Sequence, residues 1–173
     1  MATVIDTMSY KLRVMSERGI ELMTTASRQL DEMADVVASL SGPDLRKPCP
    51  DDSAGDTIGA LAVHMAEGYH FLGRFLQGAG YGPGRRPPGN GHGHAHGHER
   101  AQPPAAASEV LDRVSAGKAP IGLLADLTDE QLASVPGTGS SRFSDGRRTL
   151  EQVIEAVIAH QATHLNMLRR AVS

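Results

Sequence analysis

Residues 147–169 carry a row of side chains at alternating gaps of three and four positions, and two members of this row are histidines. Such gaps place side chains on one face of an α-helix, so the row predicts an amphipathic helix that packs against other helices. Because the other members are apolar, we expect both histidines to point inward. The row comprises Leu150, Val153, Val157, His160, His164 and Met167.

A second segment supplies a third histidine on the same kind of row. Thr57, Leu61, His64, Gly68, Phe71 and Phe75 repeat the spacing, which predicts that His64 lies on a buried row. Side chains four residues apart on a helix, as His160 and His164 are, can hold one metal ion between them. The alternative is a set of core histidines that are hydrogen-bonded to their neighbours. Burying two imidazoles without partners costs on the order of several kcal/mol, which favours a divalent metal ion bound by His64, His160 and His164.

The chain is predicted to form one all-α domain over residues 1–173, a four-helix bundle. Aromatic residues make up 3% of the sequence and strand patterns are nearly absent, so aliphatic and methionine side chains should fill the core. The first block, residues 5–40, is either one helix or two helices joined near Gly19, and it ends before Gly42. Residues 42–55 are expected to be loop. Further helices are expected from Asp56 or Thr57 to about residue 77, over 108–127 with a weak point at Pro120, over one turn at 128–132, and after a polar loop at 136–146.

Residues 78–104 form an insert that is rich in Gly, Pro, Arg and His. Its composition predicts a flexible crossover that lets the chain travel the height of the bundle between the second and third helices. Four of its histidines alternate with small residues: His92, His94, His96 and His98. This tract is either an arm that captures metal ions or a linker with incidental affinity for them.

Charge and hydropathy argue against several classes of partner. A net charge of −3 with dispersed basic residues gives no footprint for nucleic acid. No apolar run reaches the roughly 20 residues that cross a bilayer, and no signal-peptide core precedes the first helix, so we expect a cytoplasmic protein without membrane contact. The single cysteine, Cys49, excludes an internal disulfide and is either a reactive thiol or a bystander.

Three segments carry a family resemblance: LRKP at 45–48, TIGALAVHMAE at 57–67, and RTLEQVI at 148–154 continuing to HQATH at 160–164. Together they resemble the DinB-like family of metal-binding four-helix bundles, which is related to the bacillithiol and mycothiol S-transferases. The resemblance implies an up-down-down-up bundle in which His64, His160 and His164 bind Ni or Zn, and a homodimer.

The chain also departs from the family pattern. Many members have Arg-Gly-Gln after the last ligand, whereas Leu165, Asn166 and Met167 follow His164 here. The Gly/His insert is not part of the pattern, and we expect no counterpart of the C-terminal domain of the mycothiol-dependent maleylpyruvate isomerases. Isomerase activity of that type is therefore disfavoured.

Three protein ligands leave a metal position open for water or substrate, as catalytic sites do. The resemblance favours a metal-dependent thiol S-transferase that joins a low-molecular-weight thiol to small electrophiles. The alternatives are a metal-handling protein that uses the histidine tract, and a bundle with a structural metal. Glu67 is either a general base, a partner of a ligand or a solvated residue, while His70 is expected at the edge of its helix, outside the site. Three imidazoles suit Zn, Ni, Cu and Fe alike, with Zn or Ni favoured by the resemblance.

Overall fold

Helices make up the regular structure of the chain. The computed structural model describes residues 16–49, 57–78, 104–138 and 141–173, and in these ranges it contains no strand, only an isolated antiparallel bridge between Pro48 and Thr57. The predicted all-α class is therefore confirmed. The helices are α1 Glu17–Ala38, α2 Gly42–Leu45, α3 Ile58–Gly78, α4 Ala107–Gly122, α5 Asp129–Ala133 and α6 Leu150–Val172, with a 3-10 helix at Leu123–Asp126 between α4 and α5.

Helix α1 begins where Ser16 caps it, with the Ser16 hydroxyl accepting a hydrogen bond from the Gly19 amide. Its buried residues recur at gaps of three and four, so this part of the predicted helical block is an amphipathic helix. Met33 is fully buried among them, as expected of a core methionine. The start of the block, residues 5–15, lies outside the described residues. The buried row is Gly19, Leu22, Ala26, Leu30, Met33 and Val37.

The prediction of a loop over residues 42–55 was wrong for its first residues, because a short helix forms there. Ser41 and Asp44 form a capping box, in which each side chain bonds the other residue's backbone amide, and Pro43 occupies the first turn. These local signals create α2, whose Leu45 is fully buried. The amide of Ile58 then donates to the carbonyl of Lys47, which ties α2 to the start of α3.

Capping residues also define the starts of α3, α5 and α6. The Thr57 hydroxyl accepts from the amide of Ala60 at the start of α3, as one of the two predicted caps. A capping box formed by Thr128 and Gln131 begins α5, and another formed by Thr149 and Gln152 begins α6. The predicted positions of these helices are thus correct to within a few residues, and short polar signals explain why.

The predicted weak point at Pro120 does not split α4. Pro120 lies in the last turn of the helix, where it packs against Gly73 of α3. The chain then tightens into the 3-10 helix that ends at Asp126. A single predicted helix over 108–127 is therefore an α-helix with a narrower final turn, which is a common way for helices to end.

The four long helices surround a common apolar core. Helix α1 packs against α4 and α6, and α3 packs against the same two helices. Close approach of α1 to the end of α4 requires Gly19, because a Cβ atom there would lie 2.5 Å from the carbonyl oxygen of Leu124. None of the described helices combines the length and apolar character required to cross a membrane.

The predicted crossover lies almost entirely outside the described residues. Helix α3 ends at Gly78, and the next described residue is Pro104. The histidine tract at positions 92–98 falls in this gap, so it remains a feature of the sequence.

Candidate metal centre

The three predicted histidines converge between α3 and α6. His64 lies near the middle of α3, and His160 and His164 lie one turn apart on α6. Their candidate ligand atoms all lie within 4.8 Å of one another. The ring centroids are 4.3 Å apart for His160 and His164, 5.0 Å for His64 and His164, and 6.1 Å for His64 and His160. Residues separated by about a hundred positions in sequence therefore form one cluster.

A glycine beside the cluster allows the two helices to approach. A Cβ atom at Gly68 would lie only 1.7 Å from the side-chain nitrogen of Gln161. Gly68 lies one turn after His64, and Gln161 follows His160 directly, so this contact is next to the histidine cluster. Gln161 is 2% exposed, and its amide packs where any larger residue at position 68 would collide with it. The pair brings α3 and α6 into close contact at the level where the imidazoles meet.

The prediction that the histidines lie on buried rows was wrong for His64 and only partly correct for His160 and His164. His64 is exposed, and His160 and His164 are only half-buried. The reason is that α3 packs against both α4 and α6, so its apolar face is wide enough to contain several rows with gaps of three and four. The centre of that face runs through residues such as Met65, Tyr69 and Leu72. The cluster consequently lies at the margin of the core and opens to solvent.

Hydrogen bonds identify the accepting nitrogen of His160. Its Nε2 atom lies 3.0 Å from Nε2 of His164, and the guanidinium of Arg142 donates to the same His160 nitrogen. An imidazole nitrogen that accepts from a guanidinium carries no proton, so the assigned donors require neutral His160. Partial burial, followed by the charges of His164, Arg142 and His64, lowers the pKa of His160 to about 4. At neutral pH its lone pair is therefore present beside the other two rings.

The donor set fits a divalent transition-metal ion. With metal–nitrogen bonds of about 2.0–2.1 Å, two ligands in a tetrahedral site lie roughly 3.3 Å apart. The 3.0 Å between the His160 and His164 nitrogens is near this value. His64 offers a nitrogen within 4.8 Å of those of His160 and His164, so it is the third candidate ligand. Three imidazole ligands would leave a coordination position open for a further ligand.

Sequence reasoning missed two side chains from the loop that precedes α6. The Phe143 ring centroid lies 5.7 Å from that of His160, and the Arg142 guanidinium lies 4.8 Å from the Phe143 centroid. Neither residue stands at a regular spacing from the histidines, because an irregular loop brings them to the cluster. The sequence offered one sign of their role: Arg142 and Phe143 are a basic and an aromatic residue in the polar loop that precedes α6.

Other candidates lie away from the cluster. Glu67 is exposed and faces α4, where it pairs with Arg113 at 3.6 Å. His70 also faces α4, with its Nε2 atom 3.3 Å from the Arg113 carbonyl oxygen. These contacts agree with the interpretation of Glu67 as a solvated residue. They also agree with the prediction that His70 lies outside the site. Cys49 is a buried free thiol packed in the apolar core, as a bystander would be.

A family model described as the DinB superfamily matches residues 21–168, which is most of the chain and includes all three histidines. No curated protein and no solved structure matches the chain.

Proposed function

The chain belongs to the DinB superfamily, and from this premise we propose that it binds one divalent metal ion through His64, His160 and His164. The observation that carries the proposal is the convergence of these three imidazoles from two helices to within 4.8 Å. Neutral imidazole nitrogens are ligands for Zn and Ni, and we propose one of these two ions. Neutral His160 needs to lose no proton before it binds the ion.

We further propose that the site is that of a metal-dependent thiol S-transferase acting on small electrophiles. A bound divalent cation supplies positive charge that lowers the pKa of a thiol in the open position, which makes the thiol a better nucleophile. The exposure of His64 supports this role, because small molecules can reach the cluster from solvent. The resemblance of the sequence to the thiol S-transferases favours the thiol over water.

Contacts on both sides of α1 support the proposed up-down-down-up bundle. Near its start, Arg18 pairs with Glu151 and Glu155 of α6, and further along Glu32 pairs with Arg169. The order is the same along both helices, as expected of a parallel pair. Along α4 the order is reversed, since Gly19 meets Leu124 just after α4 whereas Leu30 contacts Gly117.

The pair formed by α3 and α4 explains the need for a long crossover. Tyr69 contacts Gly117 and Gly73 contacts Pro120, so positions increase together along the two helices. Consecutive parallel helices require a connection that returns along the bundle, here past α4, whose 16 residues span about 24 Å. The chain between Gly78 and Ala107 has the required length, because an extended chain covers up to about 3.3 Å per residue.

Conjugation of mercaptoethanol to monochlorobimane tests the transferase proposal. The thiolate sulfur forms a bond to the carbon that bears chlorine, chloride leaves, and the thiol proton passes to solvent. We expect the zinc- or nickel-loaded protein to accelerate this reaction and His164→Ala to lose the acceleration. His70→Ala is the matched control, because His70 lies on α3 but faces α4. Equal rates with His164→Ala and the unaltered protein would refute a catalytic role for the cluster.

The alternative function is metal handling through the histidine tract at positions 92–98. Deletion of residues 91–99 separates the two proposals. A single tightly held ion that survives the deletion supports the cluster on α3 and α6. Several exchangeable ions that are lost with the deletion support metal handling. The resemblance to the family also leads us to propose a homodimer, and the single cysteine leads us to propose a cytoplasmic location.

A further inference from the structure

Arg142 lies beside the histidine cluster without a carboxylate partner in the described parts of the chain. Its guanidinium donates to Nε2 of His160 and covers the ring of Phe143. A second arginine of the same loop differs, since Arg148 pairs with Asp145 at 3.6 Å. Arg142 is therefore a cation whose principal acceptor is one of the proposed metal ligands.

Metal binding and the Arg142 hydrogen bond compete for the same electron pair. A neutral imidazole has a single unprotonated nitrogen with one lone pair, which either accepts a hydrogen bond or binds a metal ion. Once Nε2 of His160 binds the ion, Arg142 loses its acceptor and remains next to a second positive charge. Arg142 is exposed, so solvent screens part of the repulsion between the guanidinium and the ion, and an anion bound beside both groups offsets it further.

We propose that Arg142 binds a carboxylate group of the small-molecule ligand whose other polar group occupies the open metal position. This inference rests on the proposed metal site and narrows its ligands to anionic molecules, namely thiols that carry a carboxylate a few bonds from the sulfur. A guanidinium recognises a carboxylate through two parallel N–H donors, which gives orientation as well as affinity. Binding at Arg142 involves no covalent step.

The loop around Arg142 is held in place by its own hydrogen bonds. The hydroxyl of Ser141 accepts from the Phe143 amide at 3.1 Å, and the Ser141 carbonyl accepts from the Ser144 amide at 3.1 Å. Ser141 and Ser144 are both buried, and the Phe143 ring packs against His160. Since the guanidinium lies over the Phe143 ring, its N–H groups remain available at the guanidinium edge. The loop thus carries Arg142 to the cluster, where its guanidinium contacts Phe143 and His160.

Two thiols that differ at one end test the proposal on the cobalt-loaded protein. Mercaptopropionate ends in a carboxylate and mercaptoethanol in an uncharged hydroxyl, while both offer the same thiol to the ion. Their dissociation constants are measured from the change in the visible spectrum of bound Co²⁺. We expect the unaltered protein to bind mercaptopropionate more tightly than mercaptoethanol. We expect Arg142→Gln to raise the dissociation constant of mercaptopropionate by about tenfold or more and to change that of mercaptoethanol little. Arg147→Gln is the matched control, because Arg147 is an exposed arginine of the same loop.

Each other outcome overturns a defined part of the account. If Arg142→Gln weakened the binding of both thiols equally, or if that variant lost its cobalt, Arg142 would only position His160. No preference for mercaptopropionate in the unaltered protein would also overturn the inference. Failure of the unaltered protein to hold cobalt, seen before any thiol is added, would overturn the proposed metal site and the inference together.

Discussion

Helix α6 makes two contrasting seams, one with α1 and one with α3. The α1 seam joins opposite charges, with Arg18 bridging Glu151 and Glu155 near one end and Arg169 pairing with Glu32 further along. The α3 seam instead contains three imidazoles, and the guanidinium of Arg142 lies beside them. In the first seam each arginine pairs with carboxylates of the facing helix. We propose that the second seam binds a cation and an anion instead, which would make it the functional side of α6.

Metal-dependent stability should give the largest difference between the two seams. Zinc at about one hundred times its dissociation constant should raise the free energy of unfolding by about 2.7 kcal/mol, because the ion binds only the folded protein. The same addition should have no such effect on His160→Ala/His164→Ala, even if the histidine tract binds zinc in both proteins. Thermal denaturation with and without zinc measures this. Equal zinc-induced shifts in the two proteins would show that the stabilising ion binds elsewhere.

Enlarging Gly68 should disrupt the α3 seam alone. Gly68→Ala places a Cβ atom against the Gln161 amide, so we expect a loss of about 1–3 kcal/mol in unfolding free energy and weaker metal binding. Chemical denaturation and zinc titration measure the two effects. Gly122→Ala is the matched control, because a Cβ atom at Gly122 meets nothing within 4 Å. The control should be neutral or stabilising by about 0.4–1 kcal/mol. Equal stabilities for the two variants would mean that Gly68 does not set the helix spacing.

Removing Arg18 should have the smallest effect, although it deletes three ion pairs. The guanidinium is 41% exposed, and solvent screens its interactions, so Arg18→Ala should cost below about 1 kcal/mol and less still at high salt. Denaturation at two salt concentrations checks this. Metal content should not change, since the α1 seam takes no part in the proposed site. A fall in metal content would contradict the separation of the two seams.

Helix class and helix starts were predictable from the sequence because they depend on local signals. Thr149 and Gln152 are three residues apart and form the capping box of α6, and the gaps of three and four along α1 correspond to its buried row. The helix α2 was missed although Ser41, Pro43 and Asp44 carried a capping signal, because a short turn buries too few residues to show periodicity.

The sequence predicted which histidines form the candidate site, but it did not predict how exposed they are to solvent. Spacing on α6 links His160 to His164, the same spacing over residues 57–75 adds His64, and the family resemblance implies the same three residues. Whether a row lies at the centre or the margin of a helix face depends on how many neighbours the helix has, which the row itself does not reveal. The exposure of His64 follows from the packing of α3 against two helices. Arg142 could not be predicted, since a loop brings it to His160 without any periodic spacing.

The most direct test of the metal centre is elemental analysis of untagged protein purified without an affinity column. The unaltered chain is compared with His160→Ala/His164→Ala and with the control His70→Ala. We predict about one zinc or nickel ion per chain in the unaltered protein and in the control, and none in the double variant. The same metal content in all three proteins would contradict the account, because the histidines between α3 and α6 would then hold no ion.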